Sequence, residues 1–158
     1  MLRKKLSMIA PVLAATLFTM TTAPASAEEI FSSSNQPASQ RIVVRVDVSE
    51  QKMTVIQGGV RLYDWDVSTA RSGKHTPRGT FQPYFFSPNH RSSLYGGAPM
   101  PWSVFYDGDY AIHGTDAISR LGAPASAGCV RLHPDHAKVL YSMIFEAGKN
   151  ETFIVVQD

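Results

Sequence analysis

Hydrophobic and polar residues alternate along the chain from Arg41 onward. Apolar side chains recur at every second position from 42 to 48, with Arg45 and Asp47 between them. This period of two is typical of a half-buried β-strand. A second strand is predicted at 53–57, and Gly58-Gly59 predicts a tight turn into a third strand at 61–69. The pattern therefore predicts a β-meander at the start of the fold.

Shorter strands and a single helix are predicted in the rest of the chain. Four segments rich in strand-forming residues and bounded by Gly, Pro, Asp or Asn cover 79–82, 103–106, 110–113 and 153–157. One helix is predicted to begin at Pro134 and to end at Gly148, with apolar residues between them at helical spacing. The chain is therefore predicted to be mainly β, a single β-sandwich or meander domain with one prominent C-terminal helix.

The stretch 83–101 interrupts this pattern. It holds four prolines, Gly96-Gly97 and several aromatic residues, and it is too long for a hairpin turn. Two alternatives remain open for it: a flap that folds over a site, or an ordinary surface loop.

The N-terminus has the order of regions that is typical of a secretory signal peptide. Three basic residues lie within positions 3–5, an apolar run covers 8–20, and Ala25-Ser26-Ala27 precedes Glu28. The run contains Thr16 and Thr19 and is shorter than the roughly 20 residues that a membrane span needs. We therefore expect a signal peptide at 1–27, a polar, Ser-rich linker at 28–40 and one domain at 41–158, without stable membrane insertion after cleavage.

Removal of the leader changes the charge balance. Of 15 Lys and Arg residues, three lie in the leader, so 12 remain against 13 Asp and Glu, for a net charge of −1. A nucleic-acid partner is therefore not predicted.

Cys129 is the only cysteine of a chain predicted to enter an oxidising compartment, where thiols usually pair into disulfides. Free cysteine is often a small buried hydrophobe, but here Ala127-Gly128 precedes the thiol and His113 lies sixteen residues upstream. An imidazole can take the proton of a thiol or pair with the thiolate. Backbone N–H groups of Ala127, Gly128 and Cys129 are candidates for an oxyanion hole. On spacing alone two alternatives stay open: acyl transfer through a cysteine nucleophile, and a structural buried cysteine.

Three segments together resemble the YkuD-type L,D-transpeptidase catalytic domain over roughly residues 41–157. They are Ile112-His113-Gly114-Thr115, Ser126-Ala127-Gly128-Cys129-Val130-Arg131-Leu132, and Ser72-Gly73-Lys74-His75-Thr76-Pro77-Arg78-Gly79-Thr80-Phe81. Each segment alone is a weak signal, whereas the three in this order form a specific one.

The resemblance implies a reaction and a set of roles. Cys129 attacks the bond between diaminopimelate and D-Ala in a peptidoglycan tetrapeptide stem, and an amine then takes the acyl group. His113 is the base, the Gly114 carbonyl orients its ring, and the backbone around Gly128 and Cys129 corresponds to the oxyanion hole. No metal or organic cofactor is implied. The acceptor is either diaminopimelate of another stem or a lysine of a wall-anchored protein.

Substrate contacts are less firmly predicted than the nucleophile and base. Arg131 is a candidate for holding a substrate carboxylate through two hydrogen bonds. The alternative is a salt bridge within residues 126–132, which we call the cysteine loop. Ser126 is a candidate substrate contact or a stabiliser of the turn. Many family members have a histidine where this chain has Ala127, which leaves open a hydrolase or a non-catalytic wall-binding module.

Other side chains are predicted to have structural roles. A zinc site drawn from Cys129, His113, His133 and His136 is not favoured, because His133 and Pro134 fit a helix entry better. His75 and His90 lie in polar loop segments. A core role is favoured over a substrate groove for the aromatic residues Tyr95, Trp102, Phe105 and Tyr106.

Overall fold

The computed structural model describes residues 40–158. The predicted signal peptide (1–27) and all but the last residue of the predicted linker (28–40) lie outside the described residues. Within the described part, no helix has both the length and the apolar character needed to cross a membrane.

Nine strands and one α-helix build this domain, together with the two short 3₁₀ turns Ile118–Arg120 and Lys149–Glu151. In chain order these are β1 (Ile42–Asp47), β2 (Lys52–Gln57), β3 (Val60–Asp66), β4 (Gly79–Phe81), β5 (Phe85–Arg91), β6 (Pro99–Asp107), β7 (Tyr110–Gly114), β8 (Val130–Leu132), α1 (Pro134–Ala147) and β9 (Thr152–Gln157). The expectation of a mainly β fold with one prominent helix is confirmed.

The first sheet has five strands in the order β3-β2-β1-β9-β4. β1, β2 and β3 form the predicted antiparallel meander, while β9 pairs parallel to β1 and antiparallel to β4. Ile42, Val44 and Val46 have no exposed surface, because alternate positions of β1 face the core. The third strand is shorter than predicted and ends at Asp66. Residues beyond it form two isolated bridges, Ser68 with Arg131 and Ala70 with Ser126.

The second sheet has four strands in the order β5-β6-β7-β8. β5 and β6 form an antiparallel hairpin in much of the stretch 83–101, so only residues 83–84 and the tip of the hairpin, residues 92–98, lie outside strands. Pro88 lies inside β5, where it is tolerated because β5 is the edge strand of its sheet. Apolar residues of both sheets and of α1 pack into one core.

The helix has the predicted boundaries. His133 caps its N-terminus by accepting a hydrogen bond from the Asp135 N–H, Pro134 occupies the first turn, and Gly148 follows its last residue. Its buried residues are Ala137, Leu140 and Ile144. Phe145 is 64% exposed although it follows the same helical spacing, because it lies at the edge of the apolar stripe, where it packs against Phe86 and Tyr141.

Candidate active site

Parallel pairing of β7 with β8 brings the two distant catalytic candidates together. Ile112 pairs with Val130 and His113 with Arg131. Because successive side chains in a strand point to opposite faces, Ile112 and Val130 enter the main core. His113 and Arg131 lie on the other face, as does Cys129, which is one residue before β8. One pair of strands thus brings together the thiol and the imidazole, although they are sixteen positions apart in the sequence.

A cavity of about 460 Å³ opens on this face. It is lined by five of the predicted site residues: His113, Ser126, Ala127, Cys129 and Arg131. Residues of the β5–β6 hairpin tip, including Leu94 and Tyr95, line it as well. The tip lies beside the cavity, as the flap alternative expects, although most of the stretch 83–101 is regular strand.

His113 is held in one tautomer. Its side chain is 5% exposed, and Nδ1 lies 2.7 Å from the Gly114 carbonyl oxygen. Since a carbonyl oxygen only accepts, Nδ1 carries the proton and Nε2 keeps its lone pair. Burial lowers the pKa of His113 to about 4, an effect that the Gly114 hydrogen bond opposes and the positive charge of Arg131 adds to. The imidazole is therefore neutral at pH 7 and has one nitrogen able to accept a proton.

Gly114 itself is tightly enclosed. A Cβ atom at this position would lie 3.1 Å from Pro101 Cγ and 3.1 Å from Pro134 Cα. The glycine therefore lets β6 and the start of α1 approach the carbonyl that bonds to His113.

The Cys129 thiol is half-buried against Met100, Phe105 and Ala111. Its sulfur lies 3.7 Å from the Asp109 carbonyl oxygen. Burial raises the pKa of Cys129, while the Ala111 N–H and the charge of Arg131 act in the opposite direction. The resting pair is therefore a neutral thiol and a neutral imidazole. Of the two ways in which an imidazole can assist a thiol, removal of the proton during attack fits this state better than a standing ion pair.

Gly128 has both a steric and a conformational reason to be a glycine. In the structure a Cβ atom would lie 2.5 Å from Tyr110 Cε1 and 2.7 Å from the His75 carbonyl oxygen, and φ is +143°. The Gly128 N–H donates to Ser126 Oγ at 2.9 Å. The N–H groups of Ala127 and Cys129 therefore remain as the stronger candidates for an oxyanion hole, and Ser126, which is fully buried, stabilises the turn.

Thr76, in the segment 72–81, connects this segment to the cysteine loop by a hydrogen bond. Its hydroxyl accepts a hydrogen bond from the Ala70 N–H at 3.0 Å and donates one to the Gly128 carbonyl at 2.8 Å. The side chain is 1% exposed. No role was predicted for Thr76 from the sequence, although its segment is part of the family resemblance. A hydroxyl next to Pro77 in this segment was the sequence feature that could have indicated one.

A second set of contacts fixes the position of Arg131. Its backbone exchanges two hydrogen bonds with Ser68, at 2.9 and 3.0 Å. Among residues 40–158 its guanidinium takes part in no salt bridge, so the alternative of a structural ion pair within the cysteine loop finds no support.

Three of the remaining histidines have structural contacts. His90 packs edge-on against Phe105 at 4.9 Å between ring centroids, and His136 stacks on Trp65 at 4.9 Å. His133 caps α1. In the described part of the chain, His113 is the only histidine that lines the cavity, and no group of three or more His, Cys, Asp or Glu side chains is arranged to hold a metal ion.

The aromatic residues considered for a groove are divided. Phe105 and Tyr106 are buried, and Trp102 packs against Tyr141, as a core role predicts. Tyr95 is 53% exposed and lines the cavity, so the core expectation is wrong for it because it lies at the turn of the hairpin.

Comparisons with known proteins give a family and a fold for this domain. The family model of the L,D-transpeptidase catalytic domain matches residues 41–150. No match was found among curated proteins. An L,D-transpeptidase from Stackebrandtia nassauensis has a TM-score of 0.66 with 25% identity over 75% of this chain and 56% of its own.

Two further solved structures have the same fold. One is an L,D-transpeptidase from Mycobacterium smegmatis, with a TM-score of 0.66 and 24% identity over 75% of this chain and 59% of its own. The other is L,D-transpeptidase 3 from Mycobacterium tuberculosis in complex with a faropenem-derived adduct, with a TM-score of 0.64 and 18% identity over 75% and 60%. This chain thus spans about three fifths of the length of these proteins.

Proposed function

Because this chain belongs to the YkuD family of L,D-transpeptidase catalytic domains, we propose that it transfers an acyl group from a peptidoglycan stem peptide to an amine. Cys129 is the nucleophile and His113 is the base. The observation that carries the proposal is that the thiol and the imidazole line the same cavity, with the imidazole held in the tautomer that leaves Nε2 free to accept a proton.

The first half of the reaction forms a thioester. Cys129 Sγ attacks the carbonyl carbon between diaminopimelate and D-Ala while its proton passes to His113 Nε2. Collapse of the tetrahedral intermediate breaks the amide bond, and the proton on His113 goes to the departing nitrogen, so that D-Ala leaves as an amine. The imidazolium exists only between these steps, and the Gly114 carbonyl keeps its ring oriented throughout.

Developing charge on the substrate oxygen needs hydrogen-bond donors. We assign this role to the N–H groups of Ala127 and Cys129, with Gly128 giving the loop the conformation that it needs. Arg131 lines the same cavity and is suited to a carboxylate of the stem peptide.

In the second half an amine attacks the thioester and regenerates the thiol. The amine belongs to diaminopimelate of another stem, giving a cross-link, or to a lysine of a wall-anchored protein. Since the nucleophile and base are side chains of the protein, these steps require no metal or organic cofactor. The signal peptide predicted at 1–27 fits this substrate, because peptidoglycan lies in the periplasm or cell wall.

Product analysis with a purified tetrapeptide stem tests the proposal. We expect a cross-linked dimer and free D-Ala by liquid chromatography with mass detection. Tripeptide without dimer would identify a hydrolase, and unchanged tetrapeptide would identify a binding module.

A pair of histidine variants tests the assignment of the base. His113→Ala should slow acylation of Cys129 by a carbapenem by about 10² to 10⁴ at neutral pH, with partial recovery at high pH as the thiol ionises directly. His75→Ala is the control and should acylate at the wild-type rate, because the His75 side chain is exposed and does not line the cavity. Equal rates in both variants would remove His113 from the mechanism.

A further inference from the structure

Two guanidinium groups, rather than one, line the cavity that holds Cys129. They belong to Arg71 and Arg131. Among residues 40–158 neither takes part in a salt bridge, whereas Arg61 and Arg78 each pair with an aspartate on the surface. Arginines left without an acidic partner beside a cavity are typical of a site that binds an anion.

Arg71 is fixed to the cysteine loop. Its backbone N–H and its Nη1 both donate to the Ser126 carbonyl, at 3.0 and 3.2 Å. A guanidinium has five N–H donors, so this anchor leaves most of them available. The anchor also restrains a long side chain that would otherwise lose conformational entropy when it binds a ligand.

The two arginines approach the cavity from neighbouring segments. Ser68 pairs with Arg131, and Ala70 pairs with Ser126, so the segment 68–71 runs alongside the cysteine loop. Arg131 is close enough to the reacting groups for its charge to act on the pKa values of both Cys129 and His113. Arg71 is anchored instead at Ser126, at the start of the loop.

Net charge does not explain an anion preference in this cavity. Asp109 and Asp116 also line it, and among the described residues neither is in a salt bridge. The carboxylates balance the guanidiniums, so a ligand is favoured by directed hydrogen bonds rather than by a general positive field.

We propose that Arg71 is a specificity residue that binds a second carboxylate of the donor peptide while Arg131 binds the first. This rests on the proposed function, since it takes a stem peptide as the donor. The donor is then selected for two free carboxylates, and conversion of one of them to an amide weakens its binding. Arg71 does not act on the reacting bond.

Donor binding without turnover tests this inference. The tetrapeptide stem, and versions with each free carboxyl group amidated in turn, are titrated by calorimetry into Cys129→Ala protein with and without Arg71→Gln. With Arg71 present, one of the amidated donors should bind about tenfold to hundredfold more weakly than the free acid. With Arg71→Gln, the free acid should lose the same factor, and that amidation should have no further effect. Which amide shows the effect identifies the carboxylate.

Two controls separate recognition from structural damage. Arg71→Lys keeps the charge but not the planar fork, so it should recover only part of the affinity. Arg45→Gln, on the exposed side of β1, should bind every donor like the parent protein. In Cys129-containing protein, alkylation by the neutral reagent iodoacetamide should proceed at the same rate with and without Arg71→Gln, which shows that the loop is intact.

Several results would overturn the inference. Equal binding of acid and amidated donors to the protein with Arg71, absence of donor binding, or an amidation penalty that persists in Arg71→Gln would each do so. Because binding is read without catalysis, these results are independent of whether the protein is a transferase or a hydrolase. A normal yield of dimer together with equal binding would leave the proposed function in place and remove only the role of Arg71.

Discussion

Thr76→Val should destabilise the protein although it leaves the buried volume nearly unchanged. Valine has nearly the same shape as threonine, so packing is kept and only the hydroxyl is lost. Two backbone groups then lose their partner: the Gly128 carbonyl and the Ala70 N–H. The variant therefore isolates two hydrogen bonds of Thr76, one to the cysteine loop and one to Ala70.

The expected magnitude follows from the burial of these groups. A buried polar group without a partner costs about 1 to 3 kcal/mol. The bond to Gly128 is fully buried, whereas Ala70 is half-buried and regains part of its loss through water. The free energy of unfolding should therefore fall by about 2 to 4 kcal/mol.

Urea unfolding followed by circular dichroism measures this change, provided that the slope with denaturant is unchanged. Thr76→Ser keeps the hydroxyl and loses one buried methyl group, so it should cost about 1 kcal/mol. Thr80→Val, on the exposed side of β4, should stay within about 0.5 kcal/mol of wild type. If Thr76→Val were as stable as Thr80→Val, the proposed link between the two segments would be refuted.

Three more predictions concern the site. Because burial lowers the pKa of His113 from 6.5 to about 4, the unfolded chain gains a proton that the folded chain resists, and stability should fall by about 3 kcal/mol as pH drops from 6.5 to 4. Urea unfolding of His113→Gln at both pH values should not show this loss of stability. A pH dependence equal to that of the wild type would contradict the prediction. Gly128→Ala should lose about 2 to 4 kcal/mol in thermal unfolding, because its Cβ meets Tyr110 and its φ is positive. Gly97→Ala, with φ +75° and open space around it, should lose about 1 kcal/mol, and equal losses would argue against the clash. Cys129→Ser should fold normally and form no carbapenem adduct in intact-mass spectra; an adduct on the variant would move the nucleophile elsewhere.

The elements that sequence predicted well carry their signals locally. β1 has strict alternation, and α1 has a proline at its start and a glycine after its end. β5 was missed because Pro88 and the polar residues around it break the alternation, although an edge strand tolerates them. β8 was missed because it has three residues and is a strand only through its pairing with β7.

A similar division holds at the site. Cys129 and His113 could be predicted from their chemistry, since a lone thiol and an upstream imidazole are informative without any structure. Thr76 could not, because its role depends on two backbone groups from other segments that only the folded chain brings to it. The direction of the pKa shift of the Cys129 thiol could not be predicted either, because burial in the folded chain causes it and its sequence neighbours do not.

The position of β9 in its sheet bears on how the reactive thiol forms. β9 lies between β1 and β4, so residues near the two ends of the domain must meet before β4 has a partner. Such a distant parallel pairing pays its loop-closure entropy before it gains contacts, and it forms late in folding. Thr76 lies three residues before β4 and donates to the Gly128 carbonyl, so it connects this late pairing to the cysteine loop. We therefore expect the cysteine loop of a newly made chain to take its final conformation only after β9 has joined the sheet.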